Sequence, residues 1–318
     1  MSQAILFDRH EVEKLESLEE RPRRLSGTKL LWVDLDRVSR RDASKVGETF
    51  DLDERTVRCL ERPGERAVFD DHGRYIHVTA FAPRDDDEGA FLAIECVVGE
   101  NWVITAHDLP VPVLEEFSAR VSGSGDTGSL DGPSFLAALL EWVLGAYSSA
   151  FERIERQLEE FDLQAMRGER SDDDIETLVE LRCELGELRR ALAAHRSPLV
   201  SLTYPELDAL GNHESAARFQ TVLARFEATL QEARDTRDVI VGSFDVLIAR
   251  DGQRTNQIMK VLTLVSVILL PGALVAGVMG MNFKVGFFDD PRMFWVVLAV
   301  IVGFAPLTIG IAKLRRWI

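Results

Sequence analysis

Cysteine is scarce. The 318 residues hold three, Cys59, Cys96 and Cys183, widely spaced and with no CxxC pair. That excludes a disulfide framework or a zinc knuckle and suits a reducing compartment. Basic charge is also in deficit: 37 Lys and Arg against 53 Asp and Glu leave a net charge of -16. The balance argues against nucleic acid as a partner and fits either a cation-attracting surface or plain solubility. No secretion signal is expected in MSQAILFDRHEVEKLE, which carries charges where a signal needs an apolar core. GxSxG, a Walker loop and a local Cys/His signature are missing as well, so the chain is not expected to be an enzyme. His72, His77 and His107 lack a ligand spacing such as HxxxH and read as satisfied or solvated histidines. The acid run Asp85-Asp-Asp-Glu88 reads as a solvated hairpin tip rather than a metal site.

The most telling absence is of charge near the C-terminus. From Val261 to Phe283 and from Met293 to Ala312 no residue is ionisable as Asp, Glu, Lys or Arg. Each run is at least the roughly 20 residues that cross a bilayer core as helix. Two transmembrane helices are expected, at about 258-281 and 293-312, joined by a tight exposed turn. Arg250, Arg254 and Lys260 precede the first span, and Lys313, Arg315 and Arg316 follow the second. The positive-inside rule then puts both termini in the cytoplasm. Trp295 and Trp317 stand near the ends of the second span as interfacial aromatics do.

What precedes the spans is α+β. Residues 1-130 read as a cytoplasmic α/β domain with a largely hairpin-connected sheet: Leu31–Asp36, Arg74–Phe81, Phe91–Val98 and Asn101–Ala106 are strand-like. Asp53 to Glu61 and Pro110 to Val121 read as helices. After VSGSGDTGSLDGP the pattern becomes helical, from Ser134 to about Met166 and from a Ser171 N-cap to about His195, where Ser197-Pro198 ends the second helix. From about His213 to Gly280 one helix of 65 to 70 residues, roughly 100 Å long, continues toward the membrane. Residues 131-257 thus form a long helical stalk, and 258-318 the membrane part. A rod of that length needs neighbours to cover its apolar stripe, so oligomerisation is expected.

Stepping by three and four along the first span gives Asn256, Met259, Thr263, Ser266, Leu270, Ala273, Gly277 and Gly280, a seam mostly small or polar where the other faces are Val, Leu and Ile. Such a seam serves close helix packing or, repeated around a ring, lines a water-filled path. Asn256 and Asn282 bracket it, and no Asp, Glu, His or Cys lies in either span to strip a cation of its water. A cation served here should pass largely hydrated and be met by neutral oxygens. Mg2+, which dehydrates reluctantly, fits that chemistry better than Zn2+, which ordinarily calls for His or Cys.

The residues Gly280-Met281-Asn282-Phe283 after NQIMKVLTLVSVILLPGALVAG, with a second span and the basic tail KLRRWI, resemble the CorA family of magnesium channels. The resemblance spans nearly the whole chain. It implies a homopentamer in a bacterial inner membrane, with the long helices as a cytoplasmic funnel that senses Mg2+. Asn256, Met259, Leu262 or Thr263, Ser266, Leu270, Ala273 and Gly277 would then line the pore, with Met259 and Leu270 as hydrophobic gates. Gly280, Met281 and Asn282 would form the selectivity filter, and Lys313, Arg315 and Arg316 a basic ring at the inner mouth. Mg2+ would be both cargo and regulator, its regulatory ligands unassigned. The chain departs from the family at Lys284-Val-Gly-Phe-Phe-Asp-Asp-Pro, where members carry Met-Pro-Glu; Asp289 and Asp290 are the acids left to replace that ring. Met279 also stands where an aromatic is frequent. The competing readings are a Zn2+ transporter of the ZntB type, which typically has Gly-Ile-Asn or Gly-Val-Asn, permeation of Co2+ or Ni2+, and a non-conducting membrane-anchored scaffold or sensor.

Overall fold

The computed structural model describes residues 3–8, 12–15, 29–64, 68–84, 91–123, 131–167, 174–204, 213–281 and 291–314. The chain divides into two compact units, Met1–Ser243 and Phe244–Ile318.

The first unit is built on a seven-stranded sheet in the order β2-β1-β3-β7-β6-β5-β4. Its strands are β1 (Gln3–Phe7), β2 (Val12–Leu15), β3 (Leu30–Asp36), β4 (Phe69–Asp71), β5 (Ile76–Pro83), β6 (Phe91–Val98) and β7 (Trp102–His107). Every neighbouring pair is antiparallel except β3 with β7, which run parallel. Four hairpins connect sequential strands, as the short turn-bounded runs of β-formers suggest. The parallel pair needs the long crossover through α1 (Arg40–Phe50), α2 (Glu54–Glu61) and the β4–β6 meander.

Alternation along β3 sorts the two faces. Leu31, Val33 and Leu35 join Leu6, Val97, Ile104 and Ala106 in one core, covered by Ala43 and Val46 of α1 and Leu60 of α2. Trp32 points to the other face, where its ring lies 5.1 Å from Phe135 and 6.2 Å from Phe117. Those phenylalanines belong to α3 (Pro112–Gly123) and α4 (Gly132–Arg167). Because helices cover both faces, β5 is buried at every position instead of alternating. Side-chain oxygens close the helix starts: Ser39 accepts from the Asp42 amide, Asp53 from Arg55 and Asp131 from Ser134.

The sheet's β4 edge is finished by side chains. β4 pairs only with Ile76 to Val78 of β5, which leaves the outward backbone of Phe81 unpaired by a strand. His195 and Tyr147 take both of its groups: His195 Nε2 accepts from the Phe81 amide at 2.9 Å, and the Tyr147 hydroxyl donates to the Phe81 carbonyl at 3.0 Å. The His195 Nδ1–H in turn donates to the Leu192 carbonyl at 3.1 Å, which fixes the neutral tautomer. Burial drives the His195 pKa down to about 4, against the upward pull of the Leu192 and Ala191 carbonyls. Burial likewise pushes the Tyr147 hydroxyl far above its ordinary range.

His195 sits between α5 (Asp174–Ala194) and α6 (Arg196–Leu202). The helix end expected at about His195 is where α5 stops, but the chain does not leave helix at Ser197-Pro198. The break comes at His195, and Pro198 lies in the first turn of a new short helix, where its missing N–H has no partner to lose. The expected Ser171 cap and the acid run 85–88 lie outside the described residues.

The long helix exists as expected: α7 spans His213–Met279, 67 residues, and passes from the first unit into the second. Within the first unit it runs parallel to α4 and meets it through hydroxyl–carboxylate bonds. Ser148 donates to Glu232 at 2.6 Å, Thr236 to Glu155 at 2.7 Å and Ser243 to Asp162 at 3.1 Å. On α4 the three residues fall at heptad spacing, so the bonds recur along one seam. An Arg153–Glu184 pair at 2.8 Å ties α4 to α5.

Candidate functional site

The second unit holds the end of α7 and all of α8 (Pro291–Leu314). Among the described residues three helices are long and apolar enough to cross a membrane: α4, α7 and α8. They differ in what surrounds them. The apolar window of α4 is 61% buried inside the first unit, whereas those of α7 and α8 are 0% buried. Apolar surface of that extent, left uncovered by the chain itself, calls for lipid or other copies of the chain.

Each of the two helices has a partly covered stripe, besides half-covered Thr263 and Ser266 on α7 and Gly310 on α8. On α7 it is Leu264, Ile268, Pro271, Gly272, Val275 and Met279; on α8 it is Val297, Ile301, Ala305, Thr308 and Ala312. The spacing of three and four is that of one helix face packing on another. Gly272 marks a close approach, since a Cβ added there would lie 3.2 Å from Ile301 Cγ2. Pro271 and Pro306 interrupt the hydrogen-bond ladders of α7 and α8, each removing one i to i−4 bond.

The seam expected from the sequence lies elsewhere on α7. At about 100° per residue, Asn256, Met259, Thr263, Ser266, Leu270, Ala273 and Gly277 centre on roughly the opposite side from the stripe that meets α8. They are exposed or half-exposed, and a Cβ added at Gly277 would meet nothing within 4 Å. Leu262 is exposed on the same side. The chain's own second span thus leaves the seam open.

At its end α7 tightens. The Gly280 amide still bonds the Ala276 carbonyl at 2.9 Å, while the Met281 amide bonds Val278 at 3.2 Å, one residue closer in sequence. Gly280 and Met281 therefore wind out of the helix in a tighter turn, where terminal carbonyls lose their helical partners. Oxygens of that kind can meet the waters of a hydrated cation. Asn282, Asp289, Asp290, Arg315 and Arg316 lie outside the described residues, as does Trp317; Lys313 is exposed near the end of α8.

The first unit has its own titratable groups. His77 and Glu95 are both buried to 1% side-chain exposure and meet at 2.9 Å, with Thr79 and the Gly64 amide completing the carboxylate's partners. This is a satisfied internal pair. His107 faces a cavity of about 420 Å³ that Lys14, Trp32, Asp34, Asp36 and Glu115 also line. Its Nδ1–H donates to the Leu109 carbonyl at 2.6 Å, and its Nε2 lies 3.4 Å from Asp34. Burial alone would lower the His107 pKa. The Asp34 hydrogen bond and charge, the Leu109 carbonyl and Asp36 outweigh it and raise the value. Among the described residues no group of three or more His, Cys, Asp or Glu is arranged to hold a metal ion, so the unassigned regulatory ligands stay unassigned.

The chain is 24% identical over 300 residues to the Thermotoga maritima cobalt/magnesium transport protein CorA, covering 90% of this chain and 83% of that one. Its fold matches the complete structure of the CorA magnesium transporter from Methanocaldococcus jannaschii with a TM-score of 0.81 at 20% identity, over 98% of this chain and 97% of that one. It also matches the ZntB cytoplasmic domain from Vibrio parahaemolyticus, with a TM-score of 0.55 at 14% identity, over 76% of this chain and 98% of that one. The profile described as CorA-like Mg2+ transporter protein matches residues 27–313, and with α/β unit, long helix and paired apolar helices in that order, the chain belongs to the CorA-like Mg2+ transporter family.

Proposed function

We propose that this chain forms a homopentameric channel that conducts hydrated Mg2+ across the bacterial inner membrane, with both termini in the cytoplasm and gating by cytoplasmic Mg2+. The observation that carries the proposal is the open face of α7: the seam from Asn256 to Gly277 is left free by α8 and leads to the turn at Gly280 and Met281. Polar groups facing away from the partner span are costly in lipid. A ring of α7 helices removes that cost by turning the seam to water. In this reading Asn256, Met259, Leu262 or Thr263, Ser266, Leu270, Ala273 and Gly277 line the path, Met259 and Leu270 form its dry constrictions, and Gly280, Met281 and Asn282 are the outer filter. Asp289 and Asp290 attract cations outside, and the Lys313, Arg315 and Arg316 ring opposes their entry inside until the gate opens.

The cargo is written as Mg2+ because the seam offers neutral oxygens and no stripping ligand, and because relatives carry magnesium in their names. The Thermotoga relative is also named for cobalt, and hydrated divalent ions of similar size would be met by the same groups. Transport of Zn2+ is the second reading, favoured by the loop Lys284-Val-Gly-Phe-Phe-Asp-Asp-Pro, which departs from the family pattern.

Purified protein in liposomes, with a Mg2+-sensitive dye inside, tests the proposal. Expected is Mg2+ entry driven by an inside-negative potential, abolished in Asn282→Ala and suppressed by Mg2+ on the cytoplasmic face. Wild-type protein that passes no Mg2+ at low internal concentration would overturn it. Proton-coupled Zn2+ flux that Mg2+ leaves unaffected would favour the second reading, and a monomeric or dimeric mass in mild detergent would remove the ring.

A further inference from the structure

The cavity beside His107 has the size that small ligands occupy. Its volume is about 420 Å³, within the roughly 300–1,000 Å³ of small-molecule sites, and it lies wholly in the first unit, between the sheet and α3. The floor is apolar: Ile5, Trp32, Val111 and Leu114 line it, each no more than 3% exposed. The rim is acidic. Asp34 and Asp36 stand two residues apart on one face of β3, and Glu115 comes from the first turn of α3.

Asp34 is held in place from inside the fold. Trp32 Nε1–H donates to Thr105 Oγ1 at 2.9 Å, and the Thr105 hydroxyl donates in turn to Asp34 Oδ1. Its other oxygen, Oδ2, meets His107 Nε2 only at 3.5 Å, beyond the usual range for an N–H···O bond. Asp36 is paired with Arg37 at 3.5 Å. Asp34 on the sheet and Glu115 on α3 are therefore the acids best placed to meet a ligand.

This lining selects a chemistry. An anion would meet three carboxylates. A bare metal ion needs convergent ligands, and among the described residues no three of His, Cys, Asp or Glu are arranged to hold one. An uncharged apolar molecule would strip water from the carboxylates and give them no partner. An organic cation suits both parts, with its charge on the acids and its hydrocarbon on the floor. Because the two acids stand on different walls, a molecule with an ammonium at each end serves both.

We propose that this cavity binds a short aliphatic diamine, one ammonium on Asp34 and the other on Glu115, with the methylene stem over Trp32, Ile5 and Leu114. Binding joins α3 to β3 and so stabilises the first unit. The inference is independent of the pore reading, because no residue of α7 or α8 takes part in it.

Calorimetric titration of the full-length protein in detergent with 1,4-diaminobutane, and with butane-1,4-diol as its uncharged counterpart, tests the proposal. Expected are saturable binding of one diamine per chain, a raised melting temperature and no binding of the diol. Asp34→Asn should weaken the affinity about tenfold or more. Exposed Glu115 contributes less, so Glu115→Gln should weaken it about three- to fivefold. Lys14 also lines the cavity and is exposed; its charge opposes a second cation, so Lys14→Gln should tighten binding by a similar factor. Glu116→Gln is the control, an exposed acid of α3 outside the cavity lining, and should match wild type. Neither surface variant at Glu115 or Lys14 disturbs a buried contact, so the test stands even where Asp34→Asn fails to fold. No saturable diamine binding to wild type would overturn the inference. An equal loss in Glu116→Gln would overturn it too, by assigning the effect to the general negative charge, as would a diol that binds as tightly as the diamine.

Discussion

Replacing His195 with leucine should expose how the sheet edge is held, because the substitution removes one acceptor and keeps an apolar side chain in its place. The Phe81 amide, buried at that edge, loses its 2.9 Å partner. An amide left buried without an acceptor costs about 1–3 kcal/mol, which is the deficit expected at pH 7.5. The deficit should then depend on pH. Burial holds the folded pKa of His195 down at about 4, below the ordinary 6.5. Between these values the unfolded chain takes up a proton that the folded chain refuses, so stability is complete above about pH 6.5 and falls as pH falls toward 4. At pH 5 the wild type has lost about 2 kcal/mol by this route. Leucine does not titrate, so the variant escapes that loss and its deficit narrows by about 2 kcal/mol at pH 5. Denaturant unfolding of both proteins in the same detergent, followed by far-UV circular dichroism at the two pH values, reads this double difference. The contributions of other histidines cancel in it. A deficit of the same size at pH 5 and pH 7.5 would refute the assignment of His195 as a neutral acceptor.

His107 should show the opposite sign. Its raised pKa means that its contact with Asp34 stabilises the fold below about pH 6.5 and is lost as pH rises through the folded value; Asp34→Asn should flatten the stability profile above pH 6.5, measured by the same unfolding assay. Gly132→Ala should destabilise the first unit by about 1–3 kcal/mol, because its Cβ would sit 2.0 Å from the Gly99 carbonyl oxygen and backbone cannot retreat; a melting temperature equal to wild type would contradict that contact. At Gly272 a methyl group meets Ile301 at 3.2 Å, so Gly272→Ala should be nearly neutral. Gly272→Leu should separate α8 from α7, seen as a lower melting temperature of the detergent-solubilised protein and reduced Mg2+ flux.

What could be read from the sequence alone follows from how local each signal is. The two spans are written in composition, since a charge-free run of bilayer length has few other uses. The 67-residue helix was legible because nothing stops it: proline falls inside it only at Pro271. Strands β3 and β5 to β7 announced themselves by β-formers between turns. β1 and β2 were passed over although Ala4-Ile-Leu-Phe7 is apolar, because β1 completes its pairing with β3, beyond its hairpin neighbour. The edge clamp was out of reach altogether: His195 meets Phe81 across 114 positions and Tyr147 meets it across 66. The helix end expected at about His195 marked the position of the break, but nothing local in the sequence assigns its imidazole a partner on the sheet. Along α7, periodicity distinguished a polar seam from apolar faces, but periodicity assigns no partner to either. A small residue serves equally well to admit a neighbouring helix or to widen a path. The surroundings of Gly272 and Gly277 differ: a Cβ at the first would lie 3.2 Å from Ile301, and one at the second would meet nothing within 4 Å. The same residue type therefore sits in two surroundings five positions apart, a difference that depends on where α8 lies and that periodicity along α7 does not carry.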